Sequence, residues 1–200
     1  MIKQEIEGNL TILTLDRPDK ANALTAEMLA ELRDTVRAAS GQNALILTGT
    51  GKVFSAGADL EAARAGLATS PLWEELSAAI AEFKGLSIAA LNGTVAGGAF
   101  GMVLACDLRI AVPAAKFFYP VMKLGYLPQP SDPIRLDGLV GPQSAKRILM
   151  AGEKLTAQEA LDINLVDHLV ESDVVTKAKD LACDALAAEH SHVAAIKAMI

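Results

Sequence analysis

Apolar residues recur along the chain with two different periods. Ile2 to Glu7 and Leu10 to Asp16 alternate in the manner of strands, with Gly8-Asn9 between them as a turn. Met28, Leu29, Leu32 and Val36 then step by three and four, which predicts a helix, and Thr25 stands where its hydroxyl would cap it. Ala44 to Thr48 is a short apolar run between Gly41 and Gly49 and reads as a buried strand. Ser70-Pro71 predicts a second helix start, with the hydroxyl as cap and proline at the first helical position; that helix runs out near Lys84-Gly85. Ile88 to Leu91 reads as a strand, followed after Gly97-Gly98 by an apolar helix to about Cys106. Leu108 to Val112 and Lys116 to Tyr119 read as short strands. Beyond Pro128 the pattern turns helical in three pieces, opened by Asp132-Pro133, Gly141-Pro142 and the capping box Thr156-Ala157-Gln158-Glu159. Residues 174–189 and 192–200 close the chain as helices. Strands alternate with helices over the first 120 residues and helices dominate after them, which predicts a single mixed α/β domain over 1–200 with a helical C-terminal portion.

Composition narrows the class. Hydrophobic residues make up 52% of the 200, which excludes a disordered chain. The balance of 18 basic against 24 acidic residues gives a net charge of −6, so no nucleic-acid partner is expected. No apolar run approaches the ~20 residues of a membrane span. The opening Met1-Ile2-Lys3-Gln4-Glu5 lacks the apolar stretch of a secretory signal, so a cytoplasmic location is expected. Cys106 and Cys183 stand far apart and are expected to be reduced, buried thiols. The histidines His168, His190 and His192 all fall in the last third, and no metal site is expected.

Two glycine loops carry the candidate chemistry. Phe54-Ser55-Ala56-Gly57-Ala58-Asp59-Leu60 and Gly97-Gly98 each follow a strand and lead toward a helix, with side chains too small to shield the backbone. Exposed N–H groups in such loops can hold an anion or a developing oxyanion; small residues there also simply let a helix pack closely on a sheet. A phosphate loop is excluded, because no GxxxxGK[ST] occurs.

In order along the chain stand Leu15-Asp16-Arg17-Pro18, Lys20-Ala21-Asn22-Ala23-Leu24, Ile46-Leu47-Thr48-Gly49, the Phe54–Leu60 loop, Ala90-Leu91-Asn92-Gly93 through Gly97-Gly98, Ala105-Cys106-Asp107 and Gly125-Tyr126-Leu127-Pro128. Arg135-Leu136, Leu155 to Ala160 and Leu165-Val166-Asp167 continue the series. This set closely resembles the crotonase superfamily, the enoyl-CoA hydratase/isomerase family. The resemblance implies a spiral of ββα units over about 1–140, a helical portion over about 141–200, and an acyl-CoA thioester as substrate. Coenzyme A then arrives as part of the substrate, with no permanently bound cofactor. It implies that the N–H groups of Ala58 and Gly98 hold the thioester oxygen and stabilise an enolate. It places the adenine pocket on backbone around Lys20, Ala21, Ala23 and Leu24 with the carbonyl of Ala56, beside Asp59 and Leu60, and it gives Lys20 or Arg17 a CoA phosphate to pair with. Asp59 is expected to fix its loop. A homotrimer or a pair of trimers is expected.

The chain also departs from the family. The family's hydratases use two glutamates, and the matching positions here are Gly101 and Val121. An acyl-CoA-binding protein or assembly subunit is therefore the alternative to an enzyme. Tyr119, Tyr126 and Gln129 are candidates to face the acyl pocket; Asp132 is the acidic residue nearest the turn and a candidate to move a proton, although Asp132-Pro133 reads better as a helix cap, and Glu61 is a candidate to approach the acyl chain that reads better as part of a solvated helix face. Val121 is similar to the apolar residue of the decarboxylase branch, although that branch has a histidine where Ala58 stands. The chain ends at Ile200, so the C-terminal helices are expected to be shortened and the site more open or covered by a partner subunit.

Overall fold

The computed structural model describes residues 1–171 and 173–200. The chain opens with an antiparallel hairpin of β1 (Ile2–Glu7) and β2 (Leu10–Leu15), followed by helix α1 (Ala26–Ala38). Three turns of a spiral come next. The first is β3 (Ala44–Gly49), β4 (Val53–Ser55), α2 (Leu60–Arg64) and α3 (Leu72–Ala81). The second is β5 (Leu86–Leu91), β6 (Thr94–Ala96) and α4 (Ala99–Leu104). The third is β7 (Leu108–Ala111), β8 (Lys116–Phe118), α5 (Val121–Leu124) and α6 (Asp132–Leu149). The chain closes with β9 (Leu155–Thr156), α7 (Ala157–Asp162), β10 (His168–Leu169), α8 (Val174–Ala187) and α9 (His190–Lys197).

Each turn gives one strand to each of two sheets. The larger sheet runs β1-β2-β3-β5-β7-β10, parallel from β2 onward; the smaller runs β4-β6-β8-β9, parallel except at β9. This is the mixed α/β spiral of ββα units with a helical C-terminal portion.

The larger sheet is covered on both faces, which is why its strands read as nearly unbroken apolar runs. Leu13, Leu15, Leu45, Leu47, Ala89 and Leu91 point into the main core between sheet and helices. Their alternates Leu10, Ile12, Ala44, Ile46, Ile88 and Ala90 face the other way, where Val174, Ala178 and Ala182 of α8 cover them.

The local signals act as expected at several ends. Thr25 Oγ1 accepts from the Met28 N–H at 3.3 Å, Ser70 Oγ accepts from the Leu72 N–H at 3.3 Å, and Thr156 and Glu159 form a capping box. Gly141 (φ 74°, ψ 164°) breaks α6 just before Pro142, giving the two pieces that the sequence predicts there. Two expectations need correction. Cys106 is buried, and burial pushes its thiol pKa up to about 12, but Cys183 is exposed. Asp132 does not cap its helix: it lies inside the first turn of α6 with its side chain fully buried, because its carboxylate turns inward to Tyr119. Among the described residues, no helix is long and apolar enough to cross a membrane.

Candidate active site

Parallel pairing of β4 with β6 brings the two glycine loops side by side at the ends of those strands. The contact is backbone on backbone. Gly57 has φ +88°, and a Cβ there would lie 2.7 Å from the Ala96 carbonyl oxygen and 3.4 Å from Gly97 Cα, so only glycine fits. The first loop is held from its other side by the 21–24 segment: the Ala56 N–H donates to Ala21 O (3.0 Å), the Leu24 N–H to Gly57 O (2.8 Å) and the Asp59 N–H to Leu24 O (2.9 Å). The second loop is held by the Gly97 N–H, which donates to Phe118 O at 3.1 Å. Among the described residues the N–H groups of Ala58 and Gly98 have no intramolecular acceptor, and both residues line one inner cavity.

Asn22, which the sequence presents only as part of a motif, is what shapes the 21–24 segment. It is fully buried with φ +52°, a conformation asparagine tolerates. Its amide donates to Thr50 O (3.0 Å) and Val53 O (2.8 Å), its Oδ1 accepts from the Arg17 N–H (2.8 Å), and its carbonyl accepts from Ser55 Oγ (2.8 Å). Asp59 ties the same region together: it accepts from the Glu61 and Ala62 N–H groups at the start of α2 and from Arg17 Nη1 at 2.8 Å. Arg17 beside it, and then the Ala62 N–H, hold its carboxyl below the usual carboxylate range. Arg17 Nη1 also donates to Ala23 O at 3.0 Å, so this guanidinium is engaged within the loops.

Two cavities meet at the first loop and share Ala56, Ala58 and Leu60 as a wall. The outer one, a groove of about 710 Å³, is lined by Arg17, Lys20, Ala23, Asp59 and Arg64 together with Glu27 and Glu61. Arg64 was not legible as a site residue because it lies on a helix, α2, that the glycine-rich loop conceals. Ala21 and Leu24 do not line the groove: their backbone groups are used in the loop contacts above, and the Leu24 side chain is fully buried. The inner cavity, about 190 Å³, is walled by apolar groups including Trp73, Phe118, Val121 and Leu124. Tyr119, Tyr126 and Gln129 also line it, whereas Glu61 faces only the outer groove. Among the described residues no cluster of three or more His, Cys, Asp and Glu is placed to hold a metal ion.

Behind the inner cavity lies a buried polar pair. Tyr119 Oη donates to Asp132 Oδ2 at 2.8 Å, and the Tyr119 ring stacks on Phe100 with centroids 5.2 Å apart. Among the described residues, buried Asp132 Oδ1 has no hydrogen-bond partner. Gly101 of α4 opens the space: a Cβ there would lie 3.1 Å from Asp132 Oδ1. Burial pushes the Asp132 pKa up to about 6, against the lowering effects of Tyr119 and Arg135. Burial first, and then the Asp132 charge, push the Tyr119 phenol well above its ordinary value.

A two-sheet spiral with paired glycine loops at the ends of β4 and β6 defines the crotonase class of α/β proteins. Comparison with known proteins makes this specific: residues 5–200 match the pattern of the enoyl-CoA hydratase/isomerase family, and the chain belongs to that family. It is 37% identical over 202 residues to EchA14 of Mycobacterium tuberculosis, named a probable enoyl-CoA hydratase, covering 96% of this chain and 78% of that one. It is 36% identical over 178 residues to the crotonyl-CoA hydratase of Syntrophomonas wolfei, covering 84% and 68%. The crystal structure of an enoyl-CoA hydratase from Bacillus anthracis superimposes with a TM-score of 0.91 at 29% identity, covering 98% of this chain and 80% of that one.

Proposed function

We propose that the protein binds an acyl-CoA thioester across the two joined cavities and stabilises its enolate. The observation that carries this reading is the shared wall at Ala56, Ala58 and Leu60, which joins a charged outer groove to a small apolar pocket. A CoA thioester has that same polarity: phosphates and a nucleotide at one end, an acyl chain at the other, and the carbonyl between them. The unengaged N–H groups of Ala58 and Gly98 then receive the thioester oxygen, where the charge leaving the α-carbon collects. A donor of this kind typically contributes about 2.7–4 kcal/mol of transition-state stabilisation. Lys20 and Arg64, exposed on the groove, meet the phosphates in this pose, together with Arg17, which lines the groove while its Nη1 holds the loops. With Gly101 and Val121 at the positions of the hydratases' glutamates, the shared step is enolate formation and not water addition.

A second reading is a protein that binds acyl-CoA without turnover. It is favoured by the inner cavity, in whose described lining no carboxylate appears. A crystal structure with a bound short-chain acyl-CoA tests the first reading: the thioester oxygen is expected between the amides of Ala58 and Gly98, and an oxygen bound elsewhere overturns it.

A further inference from the structure

We propose that Tyr119 and Asp132 form the proton-handling pair of the acyl cavity, with Tyr119 facing the substrate and Asp132 holding the proton behind it. The inference rests on the enolate reading above and supplies the acid–base group that Gly101 and Val121 leave unaccounted for.

The geometry is the first support. Asp132 is fully buried, yet its partner is a neutral phenol and, among the described residues, its second oxygen has no partner. A buried carboxylate in that condition costs stability that an asparagine or a leucine would not, so packing does not account for it. The carboxylate fills the space in front of Gly101 Cα, so a helix α6 residue delivers it to the inner end of α4, where any side chain at 101 would crowd it. Tyr119, which lines the cavity, is fixed by the stack on Phe100, by its bond to Asp132 and by a long contact from the Gln129 N–H at 3.5 Å.

The charged groups around the pair are consistent with proton exchange. Glu74 of α3 opposes ionisation of Asp132 and Arg135 of α6 favours it. Both are tethered at a distance, Glu74 by the N–H and hydroxyl of Ser131 and Arg135 by the hydroxyls of Ser77 and Ser131. Among the described residues neither forms an ion pair with Asp132, and burial, which pushes its carboxyl up to about 6, leaves it able to give and take a proton. Tyr119, held strongly protonated, passes a proton on without storing charge.

The step balances as follows. The C–H bond at the substrate α-carbon breaks and its electron pair moves to the thioester oxygen as an enolate. The proton goes to Tyr119 Oη while the Tyr119 proton moves along its hydrogen bond to Asp132 Oδ2. The reverse transfer returns a proton to the α-carbon, or to the γ-carbon where a double bond lies between.

The test is α-hydrogen exchange of butyryl-CoA in deuterated buffer, followed by mass spectrometry, with butyryl-CoA binding measured by calorimetry on the same samples. Wild type is expected to exchange, at a rate that rises as pH passes through about 6 and then levels, because the base form is the ionised one. Asp132→Asn and Tyr119→Phe, near-isosteric changes checked for folding by melting, are expected to bind butyryl-CoA but exchange at least about 10²-fold more slowly, the lower end of what a positioned base contributes. Asp132→Asn also loses the pH-dependent rise. If both variants exchange at the wild-type rate with the wild-type pH profile, or wild type binds but does not exchange, the pair is not the proton carrier, although the binding reading survives. If wild type does not bind butyryl-CoA, both readings fall together.

Discussion

Asn22 and Asp132 are both buried polar residues, and their partners differ in kind. Asn22 uses both its amide hydrogens and its oxygen on backbone groups, so it is a fully satisfied strut. Among the described residues, Asp132 has one oxygen satisfied and one bare. Its raised pKa makes a stability statement with a definite sign. Between the ordinary carboxyl value of 3.8 and about 6, the folded protein binds more protons at this site than the unfolded chain, so stability falls as pH rises through that window. Asp132→Asn is neutral throughout. It is expected to be more stable than wild type at about pH 7.5 by up to about 3 kcal/mol, with the difference closing near pH 4. Urea melts at the two pH values measure this, and equal stabilities at both would show that Asp132 ionises freely in the fold.

Among the elements, those whose ends carry their own chemistry were legible: the Thr25 cap, the Ser70-Pro71 start, the Gly141-Pro142 break and the Thr156–Glu159 box all lie where the sequence puts them. The strands β4 and β6 were not. Each is three residues long and exists because the neighbouring turn of the spiral supplies its partner, information that no local window contains. The same holds for Asp132, whose proline neighbour suggests a cap while its hydrogen-bond partner lies 13 residues back and its close neighbour Gly101 lies on α4. Arg17 and Asp59 were legible as residues, but not as a tether between the 21–24 segment and α2. Cutting that tether with Arg17→Ala removes the hydrogen bonds to Ala23 O and Asp59 that hold the groove's two walls together. With the groove loosened and one of its cations gone, CoA is expected to bind more weakly, by roughly tenfold or less, with the global fold retained. Calorimetric titration with CoA, beside a thermal melt, checks this. Unchanged affinity would mean that the groove keeps its shape without the tether.

For the molecule as a whole, the family and the reaction within it separate cleanly. The spiral and the loops belong to the enoyl-CoA hydratase/isomerase family, while the proposed reading puts Gly101 and Val121 where the family's hydratases carry their glutamates. Hydration needs an activated water and a proton delivered to the α-carbon, and the proposed Tyr119–Asp132 pair provides for one proton transfer. Crotonyl-CoA hydration is therefore expected at least about 10³-fold below that of a relative with both glutamates, given the ~10²–10⁴-fold typical of one acid–base group. An absorbance assay on the purified protein decides it, and hydration at the relative's rate would refute the expectation.

The two-faced sheet has a consequence for how the chain is made. Leu10, Ile12, Ala44 and Ile46 leave the ribosome well before α8, which covers them. At about 5–20 residues per second, the first strands wait on the order of ten seconds for their cover. During that interval the nascent sheet presents one apolar face to the cell, and the trigger for closing it is the emergence of α8.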